Sequence, residues 1–200
     1  MRRRGAANYR RSMPRQPRLL VPDATYHVTA RGNRRQAIFN DDYDYRLLLL
    51  IVGDVVARYG WRCHAYCLLP NHFHLLVETP GTTLSAGMHR LNGRYAQWFN
   101  DRHGLDGHLF QGRFHSVVIE TEGHLLGAFR YILLNPVRAS LCSSPDRWTW
   151  SSYRATVGST GVPPFLAVDE LIALFSPDAR RARDRIRAFI DDAPAGRPHQ

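Results

Sequence analysis

The run Leu68-Leu69-Pro70-Asn71-His72-Phe73-His74-Leu75-Leu76-Val77 leaves this chain few conformations. Pro70-Asn71 interrupts two apolar stretches, which predicts strands over 61–69 and 71–79 joined by a short hairpin connection. Strand side chains alternate faces with period two. His72 and His74 therefore share one face, ~7 Å apart along the strand, while Phe73 and Leu75 point the other way into a core. Two imidazoles on one rigid strand suit a divalent cation. The same spacing also fits the polar outer face of an ordinary strand.

The flanking sequence builds layers around that hairpin. Ala24 to Arg31 alternates and is rich in β-formers, predicting a first strand, and Gly32-Asn33 marks a turn. Asp41-Asp42 opens an apolar helix that runs to about Tyr59, where Gly60 stops it. A second helix is expected over 83–103, with Leu84, Met88, Leu91, Tyr95 and Phe99 as its buried stripe and Arg90, Arg94 and Gln97 off it. A fourth strand is expected over 107–120 and a third helix over 123–135, with Thr121 as N-cap. Pro136 biases Asn135 away from helical geometry and makes it the expected last helical residue. Cys63 and Cys67 are expected on one face of their strand, as small core residues. After a linker at 158–164, a short apolar helix (168–175) and a basic one (178–191) follow. This order predicts an α+β fold, an antiparallel sheet of about four to five strands with helices packed on it.

Charge narrows the partner. The net charge is +10, and all 27 basic residues are arginine. A GC-rich coding sequence explains missing lysine but not a positive excess. Arginine forms bidentate phosphate contacts and stacks on bases, so a polyanion, nucleic acid above all, is the expected partner. Residues 1–18 hold seven arginines and no acid, which reads as a disordered basic arm. Three cysteines make no disulfide framework and fit a reducing interior. The longest apolar run, Leu47 to Val52, ends at Gly53-Asp54, too short to cross a bilayer, and no apolar segment of a secretory signal follows the basic start. No Walker-type phosphate loop is present.

Arg130-Tyr131-Ile132-Leu133-Leu134-Asn135-Pro136 is the second informative segment. Tyr131 and Asn135 are four apart and share a helix face. A phenol and a carboxamide there can meet a common ligand; equally, Tyr131 can pack on the sheet while Asn135 caps the helix end. Taken with His72-Phe73-His74, the pattern resembles the single-tyrosine HUH transposases, and among them the REP-associated tyrosine transposases. Tyr26-His27-Val28-Thr29-Ala30-Arg31-Gly32-Asn33, Leu109-Phe110-Gln111-Gly112-Arg113-Phe114, Asn135-Pro136-Val137-Arg138-Ala139 and Trp148-Thr149-Trp150-Ser151-Ser152-Tyr153 carry the same resemblance, over roughly 18–155.

The resemblance implies a ferredoxin-like, RRM-like HUH domain over 19–155, preceded by the arm at 1–18 and followed by a helical extension at 156–200. It implies cleavage and rejoining of single-stranded or hairpin DNA, with Tyr131 as nucleophile and His72, His74 and Asn135 holding Mg²⁺ or Mn²⁺. Arg31, Arg34, Arg35, Arg90, Arg94, Arg113 and Arg138 become the expected DNA contacts. A bacterial cytoplasmic, nucleoid-associated location follows, without a membrane, and a monomer is favoured over the homodimer of smaller insertion-sequence enzymes. A catalytically silent DNA-binding module of the same fold, and a metal hydrolase without a covalent step, are the competing readings. Tyr95 is a rival nucleophile whose place in the apolar stripe points to packing. His64 is a possible proton acceptor for Tyr131, and His103, His108 and His115 fit no standard zinc spacing.

Overall fold

A computed structural model describes residues 21–192, so the expected arm at 1–18 lies outside the described residues. Four strands, β1 (Ala24–Arg31), β2 (Arg62–Leu69), β3 (His72–Thr79) and β4 (His115–Ile119), form one antiparallel sheet in the order β2-β3-β1-β4. The helices are α1 (Asp42–Tyr59), α2 (Leu84–His103), α3 (Glu122–Arg138), α4 (Tyr153–Thr156), α5 (Asp169–Ala173) and α6 (Ala179–Asp191). This is the α+β architecture expected from the element order. Among the described residues, no helix is long and apolar enough to cross a membrane.

Local chemistry sets the helix ends. Asp41 caps α1 by accepting from the Tyr43 and Asp44 amides, and Gly60 closes it in the left-handed region (φ 66°). Thr121 accepts from the His124 amide at the start of α3. The two faces of the sheet have different fillings. Phe73, Leu75 and Val77 of β3 and Tyr26, Val28 and Ala30 of β1 point to one side and are buried under α1 and α2. There Phe73 and Tyr95 both meet the Phe110 ring. The other side carries His72, His74, Thr29 and His27, and α3 lies across it.

Four local expectations are corrected. α3 does not end at Asn135 but runs through Pro136 to Arg138, because Asn135 and Pro136 are buried and tertiary packing overrides the local bias. β4 is only five residues long. Residues 107–114 form a loop that meets the sheet through one bridge, Gly32 to Phe110, with Gly107 (φ 91°) and Gly112 (φ 153°) breaking the strand geometry. A bulge between Cys63 and Ala65 shifts register, so Cys63 pairs with Val77 and Cys67 with His74, on opposite faces. The apolar C-terminal helix is shorter than expected, Asp169–Ala173.

The segment after α3 lies along the outer edge of β2. The Leu68 amide donates to Trp150 O (2.8 Å), Ser152 N to Tyr66 O (3.0 Å) and Ala167 N to Cys63 O (2.7 Å). Trp148 Nε1 adds a bond to Leu68 O (2.9 Å), and Trp150 stacks on Tyr45 of α1 at 4.7 Å between centroids. α6 then packs against α3, with the Arg130 guanidinium 4.6 Å from the Phe189 ring centroid.

Candidate active site

Three sheet strands and one helix converge on His74. In register, β1 places Arg31 opposite His72 and Thr29 opposite His74. The His72 and His74 rings lie 4.9 Å apart, closer than the ~7 Å repeat of their shared face, so the two side chains lean together. From α3, Asn135 Nδ2 reaches His74 Nε2 at 3.2 Å, and the Tyr131 ring stands edge-on to His74 with centroids 5.7 Å apart. Tyr131 and Asn135 thus face the histidines. Arg138, on the same helix, holds its guanidinium 5.3 Å from the Tyr131 ring centroid.

The hydrogen bonds specify which ring nitrogens are open. His72 Nδ1 sits 2.6 Å from Asn71 Oδ1, an acceptor, so the proton is on Nδ1 and the Nε2 lone pair is left over. His74 receives Asn135 Nδ2 at Nε2, so its own proton is on Nδ1, directed at His27 Nε2 (2.9 Å) and Thr29 Oγ1 (3.0 Å). Burial pushes the His72 imidazole down to about 4, helped by the charge of Arg31. Burial also holds His74 well below the ordinary range, with the neighbouring histidines and Arg31 acting the same way. Both rings are therefore neutral at pH 7, the form a metal ligand needs. The residues that could hold a divalent ion are His72 and His74, each through Nε2, and Asn135, whose Oδ1 replaces Nδ2 on a half-turn of the amide.

His27 is the residue that sequence reasoning missed. Its ring lies 5.1 Å from His74 and 5.7 Å from Tyr131, linking the two. Burial lowers its pKa to about 4, with smaller contributions from His115 and His124. The alternation of β1 puts His27 and Thr29 on one face, but only the pairing of β1 with β3 shows that the face is the one with His74.

The expected DNA contacts separate into two groups. Arg31, Arg34 and Arg35 sit at the end of the sheet beside His72, exposed, with Arg35 O accepting from Asn71 Nδ2 (3.1 Å). Arg138 is at Tyr131, and Arg113 is exposed on the 107–114 loop. Arg90 and Arg94 are not brought to the site. They lie on α2, across the sheet, and both bond Asp54 of α1 (2.9 and 2.8 Å). Tyr95 is buried in the core, its hydroxyl donates to Ile38 O (2.5 Å), and burial drives its pKa far upward, as expected of a packing residue. His103 bonds the buried Asp44 carboxylate (3.1 Å).

His64 lies elsewhere. It faces Glu78 (3.5 Å), four residues along β3 from His74 or ~13 Å, which removes it as a partner of Tyr131. His64, Glu78 and Glu170 bring ligand atoms within 4.8 Å of one another. Arg62 already pairs with both carboxylates there, at 2.8 Å for Glu170, so a metal would have to displace a guanidinium.

No curated protein matches the chain in sequence. A solved REP-associated tyrosine transposase bound to a REP hairpin is 22% identical, covers 78% of this chain and 93% of its own, and superposes with a TM-score of 0.63, which is a likeness of fold. Two further structures are similar only at lower TM-scores. One is a candidate transposase from Deinococcus radiodurans R1 (20% identity, 60% of this chain and 95% of that one, TM-score 0.42). The other is tRNA(His) guanylyltransferase from Saccharomyces cerevisiae (11% identity, 88% and 83%, TM-score 0.46). The sequence profile described as "Transposase IS200 like" matches residues 20–134, from before β1 into α3, and the chain belongs to that family of transposases.

Proposed function

We propose that this protein is a tyrosine transesterase that cuts and rejoins single-stranded DNA beside a hairpin. The observation that carries the reading is the position of Tyr131, edge-on to His74 and His27 at 5.7 Å each and on the same side of the sheet as His72. In this reading Tyr131 Oη attacks the scissile phosphorus in line. The new O–P bond forms as the bond to the 3′ oxygen breaks, giving a 5′-phosphotyrosine and a free 3′-hydroxyl. Attack by the 3′-hydroxyl of a second end reverses the step, and the covalent link conserves the phosphodiester, so no nucleotide triphosphate is needed.

Arg138 beside the phenol and Arg31 beside His72 offset phosphate charge. His72, His74 and Asn135 would hold a Mg²⁺ or Mn²⁺ ion, which supplies Lewis-acid stabilisation of the charge that builds on the phosphoryl oxygens. His27 and Thr29 keep the His74 proton on Nδ1, so that Nε2 stays available. The net charge of +10 and the hairpin bound by the structurally similar transposase support hairpin DNA as substrate. The test is a labelled single-stranded hairpin incubated with protein and Mn²⁺, then run on a denaturing gel. A protein–DNA adduct that disappears in Tyr131→Phe supports the reading. Cleavage that persists in Tyr131→Phe, or tight binding with no adduct in the wild type, overturns it.

A further inference from the structure

One carboxamide joins two parts of the molecule that would otherwise act separately. Asn71 Nδ2 donates to Arg35 O (3.1 Å), while Asn71 Oδ1 lies 2.6 Å from His72 Nδ1. A carbonyl oxygen only accepts, so the end of the amide at Arg35 is its NH₂. The amide oxygen is thereby turned to His72, and Nδ1 is the ring nitrogen that must carry the proton. The free lone pair on His72 Nε2 thus depends on a backbone carbonyl in a different segment.

That carbonyl belongs to a strained turn. Arg34 (φ 52°) and Arg35 (φ 62°) both lie in the left-handed region, which costs any residue with a Cβ. Backbone bonds hold them there: Arg35 N donates to Gly32 O (3.0 Å) and Gln36 N to Asn33 O (2.9 Å). Two more, Gly32 N to Asn71 O and Ile38 N to Pro70 O (2.8 Å each), fasten the turn to the β2–β3 connection. Gly32 leaves no room for a side chain, because a Cβ there would overlap Gln36 O. Among the described residues, Asn71 makes the one side-chain hydrogen bond to this turn. The Arg34 and Arg35 side chains project from it, exposed. Backbone strain that the surroundings maintain points to a use. Arg35, Asn71 and His72 also line one open cleft of about 360 Å³, together with Ala139 and Leu141 after α3. A phosphate entering that cleft would meet the turn and the His72 ring together.

We propose that Asn71 is a positioning residue that couples the Arg34–Arg35 turn to His72, fixing the tautomer of the ring with its oxygen and the presentation of two guanidiniums with its NH₂. The proposal rests on the reading of Tyr131 as nucleophile and His72 as metal ligand. An imidazole released from Asn71 carries its proton on either nitrogen, and the form protonated at Nε2 has no lone pair there for a metal. A turn released from Asn71 relaxes towards negative φ and carries both arginines away from the cleft. Phosphate at the turn and metal at His72 each order the same carboxamide, so each favours the other.

Three measurements test this, none of them requiring turnover. Ring-nitrogen NMR of the metal-free protein reads the His72 tautomer, EPR of free Mn²⁺ without DNA reads metal affinity, and hairpin binding in EDTA reads the turn. The wild-type ring is protonated at Nδ1. Asn71→Ala moves the proton partly to Nε2 and weakens Mn²⁺ binding on the order of 10–100-fold. In Asn71→Asp the carboxylate still accepts from Nδ1 but offers Arg35 O no donor, so tautomer and Mn²⁺ affinity return. Arg35→Gly suits the left-handed turn and removes only the guanidinium. It weakens hairpin binding in the wild type and weakens it less in Asn71→Ala, where the turn no longer presents that group. A wild-type ring protonated at Nε2, no Mn²⁺ binding by the wild type, unchanged Mn²⁺ affinity in Asn71→Ala, or an Asn71→Asp as impaired as Asn71→Ala overturns the role at His72. Additive effects of Arg35→Gly and Asn71→Ala overturn the coupling. Absence of a wild-type adduct on DNA defeats the reading of Tyr131 alone, because none of these measurements passes through cleavage.

Discussion

Acid should destabilise this protein in a pH range where carboxylates have not yet titrated. His27 and His72 are each held at about 4, against 6.5 for a free imidazole, with burial as the main cause in both. In the unfolded chain both take up a proton near pH 6.5; in the folded chain they resist until about pH 4. The unfolded state therefore binds more protons between those values, and stability is lost as pH falls through that window. Each shift corresponds to about 3 kcal/mol once pH is below 4, and about 2 kcal/mol at pH 5. The pair together then removes about 4 kcal/mol between pH 7 and 5, a large share of an ordinary domain's stability. His74, held down more deeply inside the same cluster, acts in the same direction. Asp41, held at about 2 mainly by its bond to Arg102, loses its contribution only below the ordinary carboxylate range, so the two effects separate on the pH axis. Urea unfolding of EDTA-treated protein at pH 7, 6 and 5 measures the loss. His27→Gln removes one of the titrating rings and should reduce the loss by about 2 kcal/mol. Equal unfolding free energies at pH 7 and 5, or an unchanged acid loss in His27→Gln, would refute the reasoning.

Other predictions follow from the same contacts. His27→Ala should weaken Mn²⁺ binding on the order of 10–100-fold by releasing the His74 ring, read by EPR of free Mn²⁺ without DNA. Gly87→Ala should destabilise by roughly 1–3 kcal/mol in chemical denaturation, although alanine favours helices, because its Cβ would overlap the Trp61 ring. Asp44→Ala should cost about 3 kcal/mol in the same assay. It removes a fully buried carboxylate that receives Arg102 (2.6 Å) and the Asn40 amide (2.7 Å), leaving those donors without it.

Much of this arrangement is legible in the sequence because it is local. The period-two alternation gives the shared face of His72 and His74, the i to i+4 spacing gives that of Tyr131 and Asn135, and Asp41 and Gly60 bound α1 by their own chemistry. What the sequence hides is set by distant pairing. His27 reaches His74 only because β1 inserts between β3 and β4, and nothing near residue 27 specifies that order. Arg90 and Arg94 look like DNA contacts by charge, yet Asp54, on a different helix, accepts both. The bulge at Cys63 and the passage of α3 through Pro136 are cases in which buried packing prevails over a local preference.

The residues that line up beside β2 have a consequence for where the chain can be shortened. Tyr131, His72, His74 and Asn135 all precede residue 147, which invites truncation to a minimal fragment. Such a cut would strip the Trp150, Ser152 and Ala167 bonds from the outermost long strand and leave its amides and carbonyls facing water. An unpaired, eight-residue, largely apolar strand is a template for its own kind. Fragments ending there would be expected to stick to one another edge to edge, so the tail acts as a built-in guard against self-stacking.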